Sequence, residues 1–266
     1  MKQTKCLEYS IEGPEDAPVL LFIHGWPDDP SMWRHQRSAL SDRYRCVTVT
    51  LPNYGETKNE MGGVDFPEIV DRLHGVVLSV GAKDVVLVTH DWGAYVGYLY
   101  EKQRPECVSA MVAMDVGGHV SLRTVSSALM FVSYQWSLIF FWLLGGLIPL
   151  VGAWFTRKFA LLLQVPKRQA SSLQSRCNYP YFYFWRANLI PWFRSRLLGA
   201  YVPKCKVLYV YGGLKPLMFH SERWLGLVEK GGGTNVCIEE ASHWFMETHP
   251  SKTNQLIRDW FAKNEI

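Results

Sequence analysis

The chain has 266 residues, room for one large α/β domain or two small ones. Apolar residues make up 48% and charged residues 20%, which excludes intrinsic disorder and a collagen-like composition. The balance of 28 Lys+Arg against 24 Asp+Glu gives +4, and no basic run concentrates it on one face, so a nucleic-acid binder is excluded as well.

Met1 to Cys6 leads into a polar stretch without an apolar core, so no secretory signal peptide is expected. The six cysteines lie far apart with no C-x-x-C pair, which argues against a zinc site or a disulfide framework and for a reducing, cytoplasmic compartment. Pro18 to His24 is short, apolar and continuous, the pattern of a strand buried on both faces. Ser31 to Leu40 has helical spacing, and Cys46 to Leu51 repeats the buried-strand pattern. Further strands are predicted at Asp84 to Thr89, Val108 to Met114 and Lys206 to Tyr211, with a weaker one at Thr234 to Ile238. Helices are predicted over Phe66 to Val80, Trp92 to Gln103, Ser221 to Glu229 and Ser251 to Ala262. Such alternation implies right-handed crossovers and a mostly parallel central sheet with helices on both faces, an α/β fold.

Between Asp115 and Val207 the alternation stops for about ninety residues, too long for an ordinary connection. We therefore expect a core built from residues 1–117 and 200–266 and an inserted helical cap over 118–199. Many of the 11 Trp, 13 Tyr and 13 Phe cluster between Phe131 and Trp192, so this segment lines or touches something apolar. No charge occurs between Arg123 and Arg157, a length that could cross a bilayer. A crossing would separate Asp91 from His243, and Gly145-Gly146 and Pro149 break the run. Apolar cap helices are expected; peripheral membrane contact through the cap is the alternative.

Three motifs carry chemistry. Thr89-His90-Asp91-Trp92-Gly93 follows a predicted strand and opens a predicted helix, the setting of a nucleophile elbow. Asp at its centre would attack carbon directly and form an ester; its bland role is a helix cap. His24-Gly25-Trp26-Pro27-Asp28 ends the first buried strand, and its Trp-Pro bond is a candidate cis peptide. The backbone N–H groups of Trp26 and Trp92 could together form an oxyanion hole. His243, just after the last predicted strand, falls at the carboxyl ends of the strands with His24 and Asp91, where it could take a proton from water.

The order HGWPD, Trp33-Arg34-His35-Gln36, HDWG and a late His-Trp resembles the α/β-hydrolases, within them the branch of epoxide hydrolases and haloalkane dehalogenases. The resemblance runs from about Glu8 to Phe261 and implies Asp91 as nucleophile, His243 as the base that activates water, and the insertion as a cap. Four departures stand out. Thr89 occupies a position where the family usually has a small residue, and Thr50 to Gly55 replaces an Asp-Leu-x-Gly-Tyr-Gly stretch, a structural change. Gly212 to Pro216 offers no carboxylate where many members keep the triad acid; Asp115, at the end of the preceding strand, is the better candidate, with Glu222 the other. Of the two cap tyrosines that hold an epoxide oxygen in the family, Tyr134 in Ser133-Tyr134-Gln135 matches the first. Trp185 stands in the place of the second, so Trp185, Tyr181 one helical turn earlier, or Tyr183 would supply that contact.

Hydrolysis of an apolar epoxide to a vicinal diol is the expected activity, on a small apolar substrate. Dehalogenation is the runner-up, because the Asn that follows His-Gly in most dehalogenases is absent. A non-catalytic relative that kept the fold is the competing class. No phosphate loop, dinucleotide fingerprint or metal-ligand cluster is present, so no cofactor or metal is expected.

Overall fold

The computed structural model describes residues 5–57, 59–122 and 124–266. Met1 to Thr4, which enter the reading of the N-terminus, and Arg123, one bound of the uncharged run, lie outside the described residues. The chain runs β1 (Glu8–Glu12), β2 (Val19–Ile23), α1 (Arg34–Leu40), β3 (Arg45–Thr50), α2 (Phe66–Ser79), β4 (Val85–His90), α3 (Trp92–Gln103) and β5 (Val108–Met114). Four helices follow: α4 (Val125–Leu147), α5 (Pro149–Leu162), α6 (Lys167–Ser172) and α7 (Tyr179–Leu189). The alternation then resumes with β6 (Lys206–Gly212), α8 (Glu222–Lys230), β7 (Thr234–Ile238), α9 (Phe245–Thr248) and α10 (Pro250–Asn264).

The strands form one sheet in the order β1-β3-β2-β4-β5-β6-β7, parallel except for β1. Every residue of β2 and β4 is buried, as their continuous apolar runs require of strands covered on both faces. Each fully buried Val, Leu or Ile contributes about 1.5–3 kcal/mol relative to an exposed one, so these central strands hold the frame on which the loops at their carboxyl ends sit.

The structure adds one strand to those expected and corrects one expectation. Glu8–Glu12 pairs antiparallel with β3 as an added edge strand. Its sequence, EYSIE, lacks an apolar run because its side chains are mostly exposed. The apolar run of the insertion does divide into α4 and α5, but at Ile148, before Pro149 at the start of α5. Gly145 and Gly146 remain inside α4. Gly145 serves a close crossing instead: a Cβ on Gly152 of α5 would lie 2.3 Å from the Gly145 Cα, whereas one on Gly146 would meet nothing within 4 Å.

Candidate active site

Five loops at the carboxyl ends of β2, β4, β5, β6 and β7 converge. Asp91, between β4 and α3, has φ 54° and ψ −126°, a conformation that a non-glycine residue holds only when its surroundings enforce it. α3 packs so tightly under this turn that a Cβ on Gly93 would lie 2.2 Å from the Ile23 carbonyl oxygen. The Asp91 carboxylate is thereby lifted off the sheet. Its Oδ1 accepts the Trp26 backbone N–H at 2.8 Å, and the Trp92 backbone N–H also bonds to the carboxylate. The Trp26-Pro27 bond is cis. The two N–H groups expected to face an oxyanion therefore both turn toward the Asp91 carboxylate.

On the other side, His243 Nε2 lies 3.7 Å from Asp91 Oδ2, and His243 Nδ1 is hydrogen-bonded to Asp115 Oδ2. Asp115, directly after β5, is fully buried, has φ 69° and also accepts the Gly212 N–H at 3.1 Å. Glu222 instead begins α8, behind its cap Ser221. Of the two carboxylates weighed from sequence, Asp115 meets the histidine.

The Asp115 carboxylate has a second, unforeseen partner. Lys215, its side chain only 4% exposed, forms an ion pair with Asp115 Oδ1. Burial pushes the Asp115 carboxyl up, but the charges of Lys215 and His243 outweigh it and hold the group well below the usual carboxylate range. Burial disfavours the His243 cation, yet Asp115 and then Asp91 outweigh burial and the opposing Lys215 charge, so its pKa is raised. Burial likewise raises that of Asp91 against the pull of His243 and the two N–H donors.

Two further histidines brace the site. His90 Nε2 donates to the His243 carbonyl oxygen at 3.1 Å, and its ring lies 4.3 Å from the His243 ring. Burial holds it neutral, its pKa far below 6.5. His24 Nε2 accepts the Leu51 N–H at 3.0 Å, and burial lowers its pKa to about 4.

The helices of the insertion cover these groups. Two cavities, of about 170 and about 600 Å³, share Asp91, Tyr134, Tyr181 and Phe219 in their walls. Tyr134 on α4 and Tyr181 on α7 stand 6.1 Å apart between ring centroids, and the charge of Asp91 reaches both phenols. Burial pushes the Tyr134 and Tyr181 phenols well above the ordinary tyrosine value, so both stay protonated donors.

Trp185 does not take the second tyrosine's place. It lines neither cavity, and its indole N–H donates to Gln135 Oε1 at 2.7 Å. Because an indole can only donate, this contact fixes the Gln135 amide, whose Nε2 then donates to the Tyr134 hydroxyl at 3.0 Å. The Tyr134 proton is left to point elsewhere. Tyr183 turns away as well, its hydroxyl donating to the Gly62 carbonyl oxygen at 2.8 Å. Asn178, which the sequence did not single out, accepts the Trp26 indole N–H at 2.8 Å and donates to Thr156 Oγ1 at 3.0 Å. Among the described residues no group of three His, Cys, Asp or Glu converges on a metal site.

A model of the alpha/beta hydrolase family matches residues 20–256. The chain belongs to that family. Epoxide hydrolase 1 of Caenorhabditis elegans is 30% identical over 119 residues, covering 44% of this chain and 30% of the relative. Epoxide hydrolase 2 of Siraitia grosvenorii is 35% identical over 103 residues, or 38% of this chain and 33% of the relative. The matched part thus spans about a third of the length of these curated relatives. Epoxide hydrolase A from Mycobacterium thermoresistibile superposes with a TM-score of 0.72 at 18% identity, covering 96% of this chain and 94% of that one. A thermophilic esterase from Thermogutta terrifontis gives 0.71 at 18%, covering 97% and 93%. At such identity these structures share the alpha/beta hydrolase fold with this chain.

Proposed function

We propose that the protein is a hydrolase that opens an apolar epoxide to a vicinal diol through an ester on Asp91, with residues 118–199 as a cap over the site. One observation carries this reading: Asp91 and two phenols, the half-buried Tyr134 and the buried Tyr181, line the same cavities from opposite parts of the chain. The sequence relatives that are epoxide hydrolases support it.

In the first step Asp91 Oδ2 bonds to an epoxide carbon while its Oδ1 stays on the Trp26 N–H. The carbon–oxygen bond of the ring breaks, and a phenol gives its proton to the departing oxygen. In the second step a water gives a proton to His243 Nε2 and its oxygen attacks the Asp91 carboxyl carbon. The oxyanion that forms is held by the Trp26 and Trp92 N–H groups, and Asp115 stabilises the His243 cation. Collapse returns Asp91 and the diol, and the proton on His243 restores the phenol. Halide release is the weaker reading, because the Trp26 indole that would hold a halide already donates to Asn178.

The test separates the two steps. His243→Gln, incubated with a panel of aromatic and fatty epoxides, should react once and stall. Intact-mass spectrometry should then show the chain heavier by one substrate, with the adduct on Asp91 after digestion. No adduct from an epoxide that the parent protein turns over would overturn the ester mechanism.

A further inference from the structure

α4 and α5 leave much of their apolar surface in water. Trp136, Phe140, Leu143 and Leu147 recur along α4 at the spacing of one helical face, and all four are exposed. At the turn into α5, Leu147 is 83% and Leu150 86% exposed, and Trp154 follows one turn later, also exposed. A continuous apolar surface of this kind marks a meeting with a partner or a membrane.

Charge decides between them. Twelve of the 28 Lys+Arg lie between Asp115 and Glu222, and none of the 24 Asp+Glu does. Arg186, Arg196 and Lys215 are answered by Asp65 and Asp115 of the core, but the insertion that carries the apolar face holds cations and no acid of its own, and the rest of the molecule is net acidic. Lys158 places its ammonium 6.0 Å from the centre of the Trp154 ring, and Lys167 and Arg168 on α6 are exposed. Exposed Leu and Trp beside cations, with no acid in the segment, complement a layer of anionic lipid headgroups over acyl chains. They do not complement a second copy, because a two-fold contact sets a patch against itself and would bring two cationic segments together. Nor do they fit a crossing. The opposite face of α4 is committed to the protein, with Gln135, Leu138 and Ile139 buried and Tyr134 in the cavity wall.

We propose that the α4–α5 hairpin seats the molecule on an anionic bilayer surface, Leu147 and Leu150 entering the acyl boundary and Lys158 lying at the phosphates. This docking is independent of the chemistry at Asp91. Since α4 lines the smaller cavity with Met130 and Tyr134, a bilayer-dissolved substrate would meet the helix that also walls the site.

Flotation with vesicles of phosphatidylcholine, with and without phosphatidylserine, tests the proposal directly. The full chain should partition about tenfold more strongly onto the phosphatidylserine vesicles and lose that preference at high salt. Leu147→Asp with Leu150→Asp should abolish flotation with the melting temperature unchanged, since both side chains are already in water; Lys158→Glu with Lys167→Glu should remove the preference for phosphatidylserine. Absence of binding, or equal binding to neutral vesicles, would overturn the proposal. So would a concentration-dependent dimer, seen by light scattering without lipid and lost in the Leu147/Leu150 variant.

Discussion

Lys215 makes the proposed base tunable. Its ammonium shares Asp115 with His243 and disfavours the His243 cation, while Asp115 and Asp91 favour it strongly enough to raise the pKa above 6.5. His243 must be neutral to take a proton from water. The rate of ester hydrolysis should therefore fall as pH drops through the His243 midpoint, which in the ester is set by Asp115 against Lys215, because the esterified Asp91 carries no charge. Lys215→Met removes the opposing charge, so the same midpoint should move further alkaline, measured from the pH dependence of adduct decay in single turnovers. A midpoint unchanged by the substitution would mean that Lys215 does not act on His243. The meeting of Asp91, Asp115 and His243 was readable in sequence because each follows a strand of recognisable pattern, directly for the two aspartates and within the next loop for His243. Lys215 was not: the loop from Gly212 to Pro216 was read for a missing carboxylate. Yet β6 lies beside β5, so its loop had to meet whatever followed β5, and a lysine there is a natural counter-ion for Asp115.

The packing of α3 against β2 is the contact that sets the Asp91 turn at the level of elements. Replacing glycine by alanine inside a helix ordinarily stabilises it by about 1 kcal/mol. At Gly93 the new methyl would lie within 2.2 and 2.5 Å of the Ile23 and His24 carbonyl oxygens, rigid backbone atoms at the end of β2. The clash should reverse the sign. Gly93→Ala is expected to destabilise the protein by about 1–3 kcal/mol and to slow ester formation, because α3 must retreat and take the Trp92 N–H with it. Gly226 in α8 meets nothing within 4 Å, so Gly226→Ala should give the ordinary gain of about 1 kcal/mol. Thermal melting of both variants checks the contrast; a stabilised Gly93→Ala would contradict it. The sheet's central strands were legible from burial on both faces, whereas β1 was hidden by its exposure. The glycine pair in α4 misled for a different reason: helix propensity is weak against the packing of α4 on α5, which calls for a small residue at Gly145, where the two helices cross, while Gly146 stands in open space.

For the molecule as a whole, what matters is how the helical insertion is held over the sheet, because Asp91 and the two phenols come from opposite sides of that junction. The insertion's presence was legible from the interrupted alternation. Its seating was not, since the pairs that fix it lie more than a hundred positions apart in the chain. Tyr54 donates to the Cys177 carbonyl oxygen at 2.8 Å, and Tyr183 reaches Gly62. Between them Asp65 Oδ2 accepts from both Arg186, at 2.7 Å, and Arg196. Asp65 also caps α2 through Oδ1 and the Phe66 N–H at 2.8 Å, so its two oxygens serve two separate tasks. Asp65→Asn keeps the capping oxygen and sets an uncharged amide before two guanidinium groups. Both ion pairs are partly exposed, 14% on Asp65 against 24% and 40% on the arginines, so the loss should be modest, about 1 kcal/mol, and the melting temperature should fall by about 2–4 °C. The larger effect should be local. Amide hydrogens over residues 179–196 should exchange faster while those of β4 and β5 do not, and ester formation should slow more than ester hydrolysis, because only the first step needs Tyr181 in place. Unchanged exchange over 179–196 would mean that apolar contact alone holds the insertion, and the position of the phenols would then have to be explained by the burial of Tyr179 and Tyr181 rather than by the ion pairs.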